Sequence, residues 1–250
     1  MKSTWDYSKL AQAYVKRPNY SVEAINAVLD IANIGLDGRV CDVGAGVGHL
    51  TKLLARENNK VVAIEPNDKM RSLGMRQTAN LNNVVWSVGS GEDTKQDDNA
   101  FDLVTFGSSF NVCDRAKALI ETARILKPNG WFACLWNHRV LEEPTQNYIE
   151  NIIKSNIADY GYGSRREDQT AVIDQSAAYG PVLRLSCTVV HEQKKNDCIT
   201  AWRSHATLER QAGSKFHKII GEIEDYLNSL NTDLIIIPYK TNIWMSQTLS

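Results

Sequence analysis

Apolar positions along the first 140 residues follow two alternating registers. Short apolar runs cover Arg39 to Val43, Lys60 to Ile64, Asn83 to Val88, Phe101 to Phe106 and Trp131 to Trp136. Between them lie stretches whose apolar residues recur every three or four positions, the spacing of a helix face. In Val22 to Ile34, residues Val22, Ile25, Val28 and Leu29 share such a face with Ile31 or Ala32. Leu50 to Arg56, Asp68 to Thr78 and Ala116 to Leu126 are further predicted helices. Pro128-Asn129-Gly130 ends the last of them at a turn. Trp131 to Trp136 is apolar throughout, as in a central strand covered on both faces. Five strand–helix units in succession predict an α/β protein with a largely parallel sheet and helices on both faces.

Beyond Arg139 the rhythm breaks. Thr145 to Ala158 reads as a helix, and residues 160–166 as a polar, glycine-bearing loop. Val182 to His191 reads as a sixth strand, Asp197 to Gln211 and Lys215 to Leu230 as two helices, and Leu234 to Pro238 as a seventh strand. The stretch from about 140 to 180 is too long for a simple connection, so a cap inserted over a substrate is expected there.

Composition and charge narrow the functional classes. The chain has 250 residues, 43% of them apolar, the size and make-up of one enzyme domain with room for an inserted subdomain. Lys plus Arg number 28 against 29 Asp plus Glu, a net charge of -1. That balance carries no footprint for nucleic acid or an anionic membrane. Five scattered cysteines with no C-x-x-C pair argue against a disulfide framework or a zinc site. The N-terminus has no apolar signal region, and no run approaches the ~18 apolar residues of a membrane span. A soluble, cytoplasmic protein with reduced thiols is the expectation.

The chemistry concentrates at Val40-Cys-Asp-Val-Gly-Ala-Gly-Val-Gly-His-Leu-Thr51, a strand, a turn with Gly44, Gly46 and Gly48, then a helix. Glycines let the backbone turn sharply and approach a ligand without a Cβ in the way. The helix start behind them offers amide donors. A dinucleotide fold uses G-x-G-x-x-G at this place. Here the third glycine follows two residues after the second, which argues against a nicotinamide cofactor. Twenty-one residues after Gly44, Glu65 ends the second strand, where an acid can accept both hydroxyls of a ribose. Taken alone, Glu65 also reads as a surface acid after a strand, the less favoured of the two readings.

Taken in order, these motifs resemble those of class I S-adenosylmethionine-dependent methyltransferases, in particular the small-molecule type 11/25 group. The likeness covers about the first 140 residues. Asp42-Val-Gly-Ala-Gly-Val-Gly48 is similar to the family's D-x-G-x-G-x-G signature. It implies cofactor contacts at Gly44, Ala45 and Gly46, with Asp42 near the methionine part. Glu65-Pro66-Asn-Asp-Lys-Met70 resembles the ribose segment, with Met70 against the adenine. Gly91-Glu92-Asp93 resembles the segment after the third strand, where Glu92 would meet the adenine amino group. Phe101 to Ser108 resembles the F-D-x-V strand, whose end, Gly107 and Ser108, lies beneath the methionine carboxyl and amino groups. Tyr14-Val-Lys-Arg17-Pro-Asn-Tyr20 is similar to a stretch that folds over the cofactor. Arg124 to Gly130 matches R-x-L-K-P-G-G, with Asn129 for the first glycine, a residue that tolerates the same left-handed backbone. The fold implied is a Rossmann-like seven-stranded mixed sheet of order 3-2-1-4-5-7-6 with its last strand antiparallel. Residues 1–35 would form N-terminal covering helices, and about 140–180 the substrate cap, all within a single domain.

The sulfonium of that cofactor makes its methyl group electrophilic, so the protein has mainly to align an acceptor, which can supply about 7–11 kcal/mol. A hydroxyl acceptor also gains from a base. Candidates sit at strand ends, and two places qualify: Ser108, Ser109, Phe110 and Asn111 after the fourth strand, and the residues after the fifth. Asn137, His138 and Arg139 follow the fifth strand, with His138 as the base and Arg139 reading an anionic group on the acceptor. The competing readings are a structural histidine and a solvated arginine. Arg165 and Arg166 in the expected cap, with Trp202, Arg203 and His205 on a later helix, could frame a polar substrate; a solvated loop and a surface helix is the plainer reading. No clustered Asp and Asn follow the fourth strand, so no metal is expected. Methyl transfer to a small polar metabolite, at oxygen, is thus the leading reading for a monomer or homodimer. An RNA or protein methyltransferase and a non-catalytic S-adenosylmethionine-binding protein are the alternatives.

Overall fold

The structure is a computed structural model that describes residues 17–35, 37–55 and 59–249. Tyr14 and most of the expected covering segment fall outside these residues. The chain divides into two compact units. The first holds the chain up to Asn137, Ser164–Cys187 and Thr241–Ser250; the second holds His138–Gly163 and Thr188–Lys240. The stretch expected as a cap is therefore shared between the two.

Strands β1 (Arg39–Val43), β2 (Lys60–Ile64), β3 (Val84–Ser87), β4 (Phe101–Gly107), β5 (Leu126–Arg139), β6 (Leu183–Lys194) and β7 (Leu234–Gln247) form one seven-stranded sheet in the order β3-β2-β1-β4-β5-β7-β6. This is the order that the resemblance implies. Strands β1 and β2 pair in parallel from Arg39 opposite Lys60 to Val43 opposite Ile64, and β1 also pairs in parallel with β4. Helix α1 (Val22–Ile31) precedes β1, and α2 (His49–Leu54), α3 (Asp68–Gln77) and α4 (Arg115–Ile125) follow β1, β2 and β4.

Period-two alternation divides the strands of the first unit between two cores. Val40, Leu103, Ala133 and Leu135 pack with Ala24, Ile25, Val28 and Leu29 of α1 and with Leu50 and Leu54 of α2. Cys41, Val43, Val104, Phe106, Phe132 and Cys134 face the other way, onto Ala118, Leu119 and Ile125 of α4. Helix α1 begins at Ser21, whose hydroxyl accepts the Ala24 amide, and ends before Asn33 at a φ of 51°. In β5 the pairing with β4 shifts register between Phe101 and Leu103, and Asn129 takes a φ of 61°. The proline turn is thus a bulge inside a longer strand, not a break before it.

The second unit contains α5 (Pro144–Asn156), α7 (Lys195–Arg203), α8 (Ala206–Ala212) and α9 (Phe216–Ser229); the short α6 (Thr170–Asp174) belongs to the first. Its core gathers Ile149 and Ile153 with Trp202, Ile219, Ile223, Leu227, Ile235 and Ile237. The single helix expected over Asp197 to Gln211 is two. Ser204 Oγ turns back onto the Thr200 carbonyl at 3.1 Å, and His205 Nδ1 accepts the Leu208 amide at 3.1 Å, capping a new helix. The last strand runs past Pro238 to Gln247 because Ile243, Trp244 and Met245 continue the alternation into the two cores. No described helix is long and apolar enough to cross a membrane.

Phe132 is fully buried, its ring 5.3 Å from Phe110, 5.6 Å from Tyr179 and 5.8 Å from Phe106. Phe132→Ala is expected to cost about 3–5 kcal/mol. Urea unfolding should show a lowered midpoint with an unchanged slope.

Candidate active site

The glycine turn at the C-terminal end of β1 forms because glycine, with no Cβ, takes up left-handed backbone at little steric cost. Gly44, Gly46 and Gly48 take φ values of 68°, 59° and 86°. A Cβ on Gly44 would stand 2.5 Å from Ser109 Cβ, so this glycine is also required for packing. At Gly46 the only atom of the described residues within 4 Å of such a Cβ is Met70 Cε, at 3.4 Å. Gly44, Ala45 and Gly46 are partly exposed, whereas Val40 to Val43 before them are buried.

Neighbouring strand ends hold this turn. The Ala45 amide donates to the Ile64 carbonyl at 2.9 Å. Glu65, only 7% exposed, accepts the Gly46 amide on Oε2 at 2.9 Å and the Asn67 amide on Oε1 at 2.8 Å. Burial raises its pKa, opposed by these amides and by Arg71. Each carboxylate oxygen keeps a further acceptor site. The pair of oxygens beside an open glycine backbone therefore suits a vicinal diol such as a ribose. Asn67 Oδ1 caps α3 by accepting the Met70 amide at 3.1 Å, which brings the buried Met70 to the turn. Pro66 is exposed.

Asp42 is fully buried beneath the turn. Its Oδ2 accepts Thr51 Oγ1 at 2.6 Å and its Oδ1 accepts Thr105 Oγ1 at 3.3 Å, joining β1 to α2 and β4. Burial pushes its pKa up to about 7 against the pull of these hydroxyls. Gly91 is buried against Cys113. Glu92 Oε1 accepts the Asp114 amide at 2.8 Å, fixing the loop after β3 to the start of α4, while Asp93 is exposed and pairs with Lys95.

At the end of β4, Ser108 takes a φ of 57°, and its Oγ lies 2.9 Å from the Tyr20 hydroxyl. A Cβ on Gly107 would come within 3.2 Å of the same hydroxyl. Arg17 is exposed. Asn137 is spent on anchoring: its Nδ2 donates to the Asn19 carbonyl at 2.8 Å, and its Oδ1 accepts Thr241 Oγ1 at 2.6 Å. The structure thus brings Asp42, the glycines, Glu65, Met70, Gly107, Ser108 and Asn137 into one unit. Tyr20, Thr51, Thr105, Ser109 and Thr241 complete it. Sequence reasoning placed Tyr20 in the covering stretch and Ser109 among the candidates after the fourth strand; it gave Thr51, Thr105 and Thr241 no role because a lone hydroxyl carries no spacing signal.

His138 and Arg139 belong to the second unit. There the Arg139 guanidinium stacks over the Trp202 ring at 4.3 Å and donates from Nε to the Tyr239 hydroxyl at 3.2 Å. His205 stacks on Trp202, and Arg203 forks onto Glu224 at 2.6 and 2.7 Å.

Residues 41–134 match a protein family described as a methyltransferase domain. This match agrees with the resemblance of the motifs to class I, S-adenosylmethionine-dependent methyltransferases. An uncharacterized methyltransferase of Mycobacterium tuberculosis is 37% identical over 123 residues, 49% of this chain and 48% of that protein. The demethylmenaquinone methyltransferase of Staphylococcus epidermidis is 32% identical over 112 residues, 43% of this chain and 46% of that protein. The chain thus spans about half the length of the curated relatives it matches. Among solved structures, a putative type II methyltransferase from Anaeromyxobacter dehalogenans shares the fold of the methyltransferase domain. Its TM-score is 0.70 at 14% identity, over 92% of this chain and 97% of that one.

Two outcomes follow for the methyltransferase domain. Gly44→Ala forces both a left-handed alanine and a clash with Ser109, so loss of S-adenosylhomocysteine binding in calorimetry is expected. An acid with a raised folded-state pKa favours folding at low pH, and that contribution is lost as pH rises to the folded value. Asp42 should therefore lower stability progressively from about pH 4 to about pH 7. Asp42→Asn should lack this component in urea unfolding curves taken across that range.

Proposed function

We propose that this protein transfers the methyl group of S-adenosylmethionine to a small polar acceptor, at oxygen. The observation that carries the reading is Glu65, whose carboxylate accepts the Gly46 amide beside a glycine turn where, among the described residues, only Met70 Cε comes within 4 Å of a Cβ built on Gly46. Glu65 holds the ribose hydroxyls, Gly44 to Gly46 let the donor approach the backbone, and Pro66 and Met70 border its base. Gly91 to Asp93 line the adenine edge. Asp42 stiffens the turn from below, and Arg17, Gly107 and Ser108 lie toward the methionine end. Tyr14 completes this set from the N-terminal segment.

When bound, the donor supplies an already electrophilic methyl on sulfonium sulfur. The chain's own work is alignment of the acceptor and exclusion of water. Oxygen is favoured by His138, two residues past the buried Trp136 on the same strand, as a group able to take the proton an alcohol loses. Asn137 positions the strand end, and Arg139 is the companion candidate for the acceptor. A small-molecule acceptor accords with the balanced charge of the chain and with the name of the Staphylococcus relative.

Glu65→Ala removes two hydrogen bonds to a charged group, each worth about 1.5–3 kcal/mol. S-adenosylhomocysteine affinity measured by calorimetry should fall about 100-fold to 10,000-fold. No binding by the wild-type protein would overturn the reading. An isotope-labelled methyl group followed by NMR into the product distinguishes oxygen from carbon, the atom named for the Cronobacter sakazakii quinone-pathway relative, which is 32% identical over 123 residues.

A further inference from the structure

Thr241 stands in the middle of β7, fully buried, and its hydroxyl is used twice. It accepts the Ser21 amide at 2.9 Å and donates to Asn137 Oδ1 at 2.6 Å. Asn137 Nδ2 in turn donates to the Asn19 carbonyl at 2.8 Å and to the Pro18 carbonyl at 3.4 Å. One hydroxyl thus holds the backbone of residues 18–21, directly and through one amide side chain. All of these residues belong to the first unit.

The segment so held reaches two elements that border the glycine turn. Asn19 Oδ1 lies 3.1 Å from Nδ1 of His49, the residue after Gly48, and the Tyr20 hydroxyl lies 2.9 Å from Ser108 Oγ. Ser108 has a left-handed backbone, with a φ of 57°, which a residue other than glycine keeps only where its surroundings hold it. Its amide donates to the Leu135 carbonyl at 2.8 Å, and the Tyr20 hydroxyl holds its side chain. The next residue, Ser109, walls the turn. Its Oγ donates to the Val43 carbonyl at 2.6 Å, and its Cβ is the atom that a side chain on Gly44 would strike. Displacing Tyr20 therefore releases a strained strand end against which Gly44 is packed.

We infer that Thr241 is a positioning residue for the methyl donor, holding residues 18–21 so that Tyr20 fixes the end of β4 beside Gly44. It acts through Tyr20 and Ser108 rather than by touching the donor. This rests on the methyltransferase reading above and extends its donor site to β7, outside residues 41–134 that match the family.

Thr241→Val keeps the shape of the side chain and takes the hydroxyl away from the Ser21 amide and Asn137 Oδ1. The test is a double-variant cycle on the full chain, read as S-adenosylhomocysteine affinity in calorimetry. Thr241→Val and Tyr20→Phe should each weaken binding about 10-fold. The double variant should stay at about 10-fold rather than reach about 100-fold, because both changes cut one chain of contacts. Thr241→Ser should bind close to wild type. Ser246→Ala should do the same, although it removes an equally buried hydroxyl from the same strand, where Ser246 Oγ donates to the Gly180 carbonyl at 2.7 Å.

Wild-type affinity in Thr241→Val or in Tyr20→Phe overturns the inference, as do multiplied losses in the double variant. An equal loss in Ser246→Ala also overturns it, since any loosening of β7 would then suffice. Should Thr241→Val not fold, Thr241→Ala replaces it in the cycle; failure of both to fold overturns the inference, because the hydroxyl would then serve the fold rather than the donor. A wild-type protein that binds no S-adenosylhomocysteine refutes the methyltransferase reading and this inference together. Binding that Thr241→Val retains in full refutes the inference alone.

Discussion

A carboxylate at the end of one strand holds open the turn at the end of the next. Gly44, Gly46 and Gly48 put the backbone after β1 into left-handed conformations, and within the turn the Gly48 amide donates to the Ala45 carbonyl at 2.9 Å. Two further amides of the turn find partners outside it: Glu65 takes that of Gly46, and the Ile64 carbonyl takes that of Ala45. Burying the acid costs desolvation, visible in its raised pKa, and the amide hydrogen bonds offset that cost. The entry of α2, the place of Met70 and the open approach to Gly46 all follow from this one arrangement.

Beneath the turn the same logic recurs with hydroxyl groups. Asp42 is buried with Thr51 and Thr105 as donors, so the turn cannot shift without orphaning a carboxyl group. Asn137 does the equivalent for the N-terminal segment, taking the carbonyls of Pro18 and Asn19 and the hydroxyl of Thr241. Because residues 18 and 19 are held there, Tyr20 lands on Ser108, and the rim of the site is drawn from the N-terminal segment, the middle and the last strand of the chain.

Much of this was legible beforehand. The strand–helix order, the glycine turn, the acid at Glu65 and the left-handed Asn129 are local patterns that a single stretch of sequence carries complete. The strand order followed from the motif resemblance rather than from periodicity. Less legible were the break at Ser204-His205, where side-chain caps override a continuous helical pattern, and the extension of β7, where Pro238 looked like an end. The split of residues 140–180 between two compact units was not legible either, because the packing that decides it involves residues far along the chain.

The sequence by itself determined the strand–helix order of the first 140 residues, the conformation of the glycine turn and the acid beside it, because periodicity, glycine freedom and motif spacing act over a few residues. Tertiary structure alone decided that Asn137 anchors the backbone and that Tyr20 meets Ser108, 88 residues away. It alone decided that Ser21 is tied to Thr241 across 220 residues. Hydrogen-bond partners of buried polar groups depend on which chain segments the two cores bring together, and no local pattern encodes that.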